Sequence, residues 1–156
     1  MFALKVLCLR IYMRIFKAIT VILPFKWPKI FDGPGSSREL CRYIANQEHK
    51  KILLVTDSML AKLGLLDAMQ VELEKQGITV VIYDGVMPDP TIAQIEAGVS
   101  VLKDNNCKAI LAVGGGSSID AAKVMSARGN SDQSINNMSG LLTIYFSGTL
   151  SLSAVP

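Results

Sequence analysis

The sequence predicts an α/β protein, a Rossmann-like parallel sheet flanked by helices and preceded by an amphipathic N-terminal helix. Three observations carry that expectation. Short apolar runs, Ile52 to Thr56, Ile78 to Tyr83 and Ala109 to Val113, alternate with stretches of helical period. Runs apolar throughout, rather than alternating, suit strands covered on both faces, and strand–helix alternation at this spacing builds a parallel sheet. The third run leads directly into Gly114-Gly115-Gly116-Ser117 and an alanine-rich segment, a strand–turn–helix pattern that points to a phosphate-bearing ligand.

The elements follow in order. Met1 to Leu23 is strongly apolar and carries Arg10, Arg14 and Lys17 at spacings of four and three, which places three cations on one side of a helix. No uncharged run there reaches the roughly 18 residues of a membrane span. Recurring charges and the lack of a small-residue cleavage pattern also disfavour a signal peptide. Two readings stay open: an interfacial helix in peripheral contact with an anionic membrane through residues 1–23, or a helix docked on the domain or on a partner subunit of a homo-oligomer. The division expected is residues 1–24 for this helix and 25–156 for the α/β domain.

Pro24 and Pro28 end the first helix, with a short extended stretch over Trp27 to Phe31. Gly33-Pro34-Gly35 is a turn signal. Ser36 with Glu39 reads as a capping box opening a helix that turns Leu40, Tyr43 and Ile44 inward. The first strand ends at Asp57. A single helix is expected through Leu63, Leu66, Met69 and Leu73, closed by Gly77 at its C′ position. After the second strand, Asp84-Gly85 and Met87-Pro88-Asp89-Pro90 read as loop, and Thr91 caps a helix bearing Ile92, Ile95, Val99 and Leu102. A further helix is expected from Ser118, capped by Ser117 with Asp120 as its third residue. Ile135 to Gly140 reads as a loop and Leu141 to Phe146 as one more strand. There is no internal repeat.

Composition narrows the function classes. Six basic residues and no acidic one precede Asp32, whereas ten basic residues face thirteen acidic ones from there on. A mildly acidic main body argues against nucleic-acid binding. Cys8, Cys41 and Cys107 are far apart and form no C-x-x-C, so neither a zinc ribbon nor a disulfide framework is implied and a cytoplasmic setting is the default.

Glycines at Gly114 to Gly116 let backbone N–H groups approach a pyrophosphate without a Cβ in the way, and the helix N-terminus adds a favourable partial charge. The bland alternative is that they only permit a tight turn. The run matches neither G-x-G-x-x-G nor G-x-x-x-x-G-K-[ST], so neither mechanism transfers as it stands. Lys123 lies nearly two turns along the helix and reads as exposed. Asp57, at a strand end, can accept the hydroxyls of a ribose and repel a 2′-phosphate, or can simply complement a helix start.

Three segments taken together are more specific: V-T-D-S-M-L-A-K-L-G (55–64), Y-D-G-V-M-P-D-P-T (83–91) and A-V-G-G-G-S-S-I-D-A-A-K (112–123). In this order and spacing they closely resemble the N-terminal nucleotide-binding domain of the iron-containing alcohol dehydrogenases. F-D-G-P-G-S-S (31–37) resembles that family's opening turn, and the resemblance runs roughly from Pro28 to Gly140. It implies that Asp57 holds the adenosine ribose, that Asp89 lies beside the cofactor, and that Gly115, Gly116, Ser117 and Ser118 wrap the NAD pyrophosphate. It also implies hydride transfer between an alcohol or aldehyde and NAD, with Fe²⁺, or Zn²⁺ in relatives, polarising the substrate oxygen.

The family's metal site takes an aspartate and three histidines from a helical C-terminal domain. This sequence has one histidine, His49, so no metal ligand or catalytic residue is assigned to it. Ala154-Val155-Pro156 resembles the start of the family's A-I/V-P segment, while Leu141 to Ser153 departs from the usual lead-in. The expectation is therefore an incomplete domain, truncated before the metal-binding part and inactive alone. The alternatives are a glycerol dehydrogenase or dehydroquinate synthase-like relative, against which Ser117-Ser118 and I-D-A-A-K weigh, and a non-catalytic membrane- or partner-binding module.

Overall fold

A computed structural model describes residues 6, 10–14, 29–138 and 151–155. The chain forms two compact units, Met1–Ile30 and Phe31–Pro156. In the first, Val6 and Arg10 to Arg14 are helical, and Ile11, Tyr12 and Met13 are exposed. Lys17, the third cation of the expected stripe, lies outside the described residues, as do Trp27 and Pro28 of the expected Trp27 to Phe31 stretch. Among the described residues no helix is long and apolar enough to cross a membrane.

The second unit runs α1 (Ser36–Ala45), β1 (Lys51–Asp57), α2 (Ser58–Lys62), α3 (Asp67–Lys75), β2 (Thr79–Val86), α4 (Ile92–Asp104), β3 (Ala109–Val113), α5 (Gly116–Gly129), a 3-10 turn (Ile135–Met138) and β4 (Ser151–Val155). Among the described residues the sheet has four strands in the order β2-β1-β3-β4, all pairs parallel. Leu53 pairs with Val81 on one side and Ile110 on the other, and Ile110 pairs with Leu152.

Strand β1 is central and buried from Ile52 to Thr56, as its unbroken apolar run requires. Its alternate residues face two cores. Leu53 and Val55 join Ile95, Val99, Ala122 and Met125 of α4 and α5. Ile52 and Leu54 join Leu40, Ile44, Leu66 and Leu73 on the opposite face. Each fully buried Leu or Ile contributes about 1.5–3 kcal/mol by leaving water, so the two clusters clamp the sheet between helical layers.

Several expectations are corrected. Ser36 does not cap α1: Gly35, left-handed at φ 87°, is the N-cap, and no side chain caps the helix. The turn closes one residue early, which places Ser36 inside the first turn, where its hydroxyl cannot reach back to the free N–H groups. Leu40 and Ile44 are buried as expected, Tyr43 is half-buried, and Cys41 joins them. The single helix expected after β1 is two. Gly64, at φ 66°, ends α2, and the chain resumes helically at Asp67 with Leu63 exposed and Leu66 buried. An i,i+3 apolar pattern can thus persist across a break. Gly77, at φ 79°, follows the C-cap of α3 as expected.

Asp84-Gly85 belongs to β2 rather than to a loop, because Asp57 pairs with both Gly85 and Val86 and the strand runs on through this bulge. Thr91 caps α4 in a complete capping box with Gln94. Ile95, Val99 and Leu102 are buried, but Ile92 is exposed. The Thr91→Ala variant is expected to lose about 1 kcal/mol, read as a lower midpoint in urea with unchanged slope.

Helix α5 begins at Gly116, not Ser118, with Gly115 as N-cap and no side-chain cap. The glycines complete the turn in two residues, so Ser117 is the second residue of the helix and the box with Asp120 does not form. Asp120 instead pairs with Lys123 at 2.9 Å, and Lys123 is exposed as expected. The expected strand over Leu141 to Phe146 and the end of the loop at Ser139-Gly140 lie outside the described residues.

Candidate cofactor site

Each helix that follows a strand runs antiparallel to it, so the N-termini of α2, α4 and α5 gather at the carboxyl edge of the sheet. Two of the three are closed by their own side chains. Asp57 Oδ1 accepts the N–H groups of Met59 and Leu60 at 2.9 and 3.0 Å and caps α2. Thr91 Oγ1 accepts the N–H of Gln94 at 3.4 Å, and Gln94 Oε1 accepts that of Thr91 at 3.1 Å. Helix α5 alone among them opens without a side-chain cap. Its first N–H groups are the free end of a 14-residue dipole.

That end sits where the chain changes direction across the sheet. From β1 the chain moves to β2 on one side, then returns to β3 on the other. The crevice beyond β1 and β3 is the topological switch point, where open parallel sheets bind ligands. Register places the expected residues along it. Val55 pairs with Ala112, so Asp57, the last residue of β1, and Gly114, the first residue after β3, lie at the same edge of the sheet on neighbouring strands. Asp89 follows three residues after the end of β2, is exposed, and adopts φ 53° between two prolines. Asp57, Asp89 and the glycine turn therefore share one edge.

The three glycines differ in why they are glycine. Gly114 has φ 135°, and a Cβ there would lie 2.9 Å from Ser118 Oγ and 3.1 Å from Leu60 Cδ1. Packing and backbone both demand it. Gly115 and Gly116 are exposed, and a Cβ on either would meet nothing within 4 Å. Gly115 has φ −69° and ψ −174°, which any residue adopts. Nothing inside the described fold requires glycine at either place, and both leave an open shelf before the N–H groups of α5. Ser117 is half-buried and Ser118 is buried, so what Ser118 can offer outward is its N–H rather than its hydroxyl.

Asp57 spends Oδ1 on the α2 cap. Oδ2 has no partner among the described residues, so its lone pairs remain for an incoming hydroxyl. The two readings of Asp57, helix cap and ribose acceptor, use different oxygens and do not compete. Beside it, Thr56 is fully buried with its hydroxyl unpaired among the described residues, a feature that nothing in the sequence signals. Burial raises the thiol pKa values of Cys41 and Cys107, with Glu72 adding to the effect at Cys41, so both stay protonated and unreactive at neutral pH.

Comparison with known proteins agrees with this architecture. The sequence model of the family described as iron-containing alcohol dehydrogenase matches residues 28–156. The chain belongs to the iron-containing alcohol dehydrogenase family. Alcohol dehydrogenase 4 of Saccharomyces cerevisiae (strain YJM789) is 39% identical over 114 residues, covering 73% of this chain and 30% of the yeast protein. The NAD-dependent methanol dehydrogenase of Bacillus methanolicus is 33% identical over 112 residues, covering 72% of this chain and 29% of the relative. The NADH-dependent butanol dehydrogenase A of Thermotoga maritima superposes with a TM-score of 0.72 at 28% identity, covering 83% of this chain and 33% of that structure. This iron-containing alcohol dehydrogenase family member thus spans about 30% of the length of the curated relatives it matches.

The family's metal does not fit the residues described. Among them no group of three His, Cys, Asp or Glu could hold an ion. His49 lies two residues before β1, and the seven-residue strand, roughly 3.3 Å per residue, separates it from Asp57 at the carboxyl edge.

Proposed function

We propose that this chain carries the NAD site of an alcohol dehydrogenase, with Gly115, Gly116, Ser117 and Ser118 receiving the pyrophosphate, Asp57 the adenosine ribose, and Asp89 lying against the cofactor. The observation that supports this reading most is the open shelf at Gly115 and Gly116. Their missing side chains serve no contact within the described fold, while they leave the uncapped N-terminus of α5 open to an anion. Backbone N–H groups there donate to phosphate oxygens, and the helix dipole favours the negative charge. No basic side chain is needed, since Lys123 is already paired with Asp120.

Asp57 Oδ2 accepts a ribose hydroxyl, while its charge disfavours a 2′-phosphate, so the site prefers NAD to NADP. When bound, NAD supplies the nicotinamide carbon that accepts hydride from an alcohol or returns it to an aldehyde. The part of this chain is to hold the dinucleotide at the sheet edge. No metal-dependent step is assigned to its described residues, and the substrate class, an alcohol and its aldehyde or ketone, comes to it from its relatives.

Titration with NADH, followed by the enhancement of its fluorescence, tests the reading. Saturable binding displaced by ADP-ribose is expected, because ADP-ribose retains the pyrophosphate and both riboses. A flat titration with a folded protein sinks the proposal. No alcohol oxidation is expected from the pure chain supplied with NAD and Fe²⁺ or Zn²⁺.

A further inference from the structure

We propose that Tyr83 is a positioning residue that holds Asp89 in place for the cofactor, an inference that rests on reading Asp89 as a cofactor contact. Asp89 sits in a five-residue connection, residues 87–91, between the end of β2 and the start of α4. Its φ of 53° is uncommon for residues other than glycine, Asp and Asn adopting it most readily among them, and the residue precedes Pro90, whose ring favours an extended conformation before it. Such a conformation persists only where its surroundings hold it.

The hold comes from below the loop. The hydroxyl of Tyr83, on β2, donates to the carbonyl oxygen of Gln94 in the first turn of α4 at 2.6 Å. Gln94 is also the residue that closes the capping box with Thr91. One hydrogen-bonded chain therefore runs from β2 through Tyr83 and Gln94 to Thr91, two residues beyond Asp89. The span of the 87–91 connection is fixed at both ends.

Two glycines make room for the ring that does this. A Cβ on Gly85 would lie 2.8 Å from Tyr83 Cζ and from its hydroxyl oxygen, and a Cβ on Gly98 would lie against the Met125 thioether first, at 2.8 Å from Sδ, and then 3.1 Å from Tyr83 Cε1. Gly85 makes room on β2 for the ring itself, and Gly98 makes room on α4 for Met125 and the edge of the ring together. Burial, helped by the neighbouring Asp84 carboxylate, pushes the phenol pKa up, so the hydroxyl remains a donor throughout the neutral range.

Tyr83→Phe removes the hydroxyl and keeps the ring between the two glycines. A double-mutant cycle of Tyr83→Phe and Asp89→Ala, read as NADH dissociation constants on the full chain, tests the coupling. Losing one neutral hydrogen bond is expected to weaken NADH binding about fivefold in the Asp89 background. In the Asp89→Ala background the same substitution is expected to change binding little, because the group it positions is gone. Hydrogen exchange without ligand supplies the second readout, with faster exchange expected at the Asp89 and Thr91 amides of Tyr83→Phe. Equal effects in both backgrounds overturn the positioning role while leaving the cofactor site intact, as does an unchanged affinity in Tyr83→Phe. Wild-type binding that Asp89→Ala does not weaken removes the premise, and no NADH binding by the wild type sinks the cofactor reading itself.

Discussion

Gly114→Ala is expected to lower stability by about 2–4 kcal/mol, whereas Gly115→Ala and Gly116→Ala leave the fold intact and lose the cofactor. The contrast follows from three adjacent residues of one type. At Gly114 a side chain meets two penalties, a left-handed backbone at φ 135° and an approach of 2.9 Å to Ser118 Oγ. Neither neighbour can move freely, since Ser118 is buried in the first turn of α5 and Leu60 lies in α2. At Gly116, already helical, alanine is expected to be neutral or to stabilise by about 0.4–1 kcal/mol through the unfolded chain. Yet a methyl group on either residue stands on the shelf that the phosphate would occupy. Urea unfolding and NADH titration on the three variants separate the cases. If Gly115→Ala and Gly116→Ala both bind NADH as the wild type does, the shelf is not the phosphate site.

Asp57→Asn is expected to shift preference from NADH toward NADPH while keeping stability within about 0.5 kcal/mol, because Asn caps helices about as well as Asp. The amide oxygen can retain the bonds from Met59 and Leu60 N–H, now made by Oδ1 at 2.9 and 3.0 Å. What disappears is the negative charge and the free carboxylate oxygen. Asp57→Ala removes the cap as well and is expected to cost about 1 kcal/mol of stability. The ratio of NADPH to NADH dissociation constants, measured for wild type and both variants, reads the charge separately from the cap. An unchanged ratio in Asp57→Asn would show that Asp57 serves α2 alone.

Strands were the most legible part of the fold. The runs at 52–56 and 109–113 lie wholly in strands of the parallel sheet, and the run at 78–83 lies in one from Thr79 onward. Burial on both faces leaves β1 and β3 almost no polar positions, so the sequence records them, whereas β2, at the edge of the sheet, is mostly half-buried or exposed and shows itself by β-branched residues instead. Helix ends were less legible. Thr91 caps α4 as expected, in a box completed by Gln94 that was not anticipated, but Ser36 and Ser117 do not cap, although each stands beside a glycine turn. A cap depends on which residue leaves the helical backbone first, and a glycine can take that role one or two places ahead of a serine. The break at Gly64 was hidden for a similar reason, since Leu63, Leu66 and Met69 keep a helical spacing across it.

The residues of the candidate site could be read from three sequence segments, and the structure brings all three to one edge of the sheet. The clamp beneath them could not be read. Tyr83 lies in a strand pattern that needs no hydroxyl, and its partner is a backbone carbonyl, which every residue type possesses.

The glycine turn, Asp57 at the end of β1, Asp89 in the connection after β2 and the family were legible in the sequence alone, because local backbone freedom and charge are properties of residue types in order. Which glycine serves the fold, which oxygen of Asp57 remains free and what holds Asp89 were decided only by the tertiary structure. Those depend on distances between segments far apart in the chain, set by how the helices pack on the sheet.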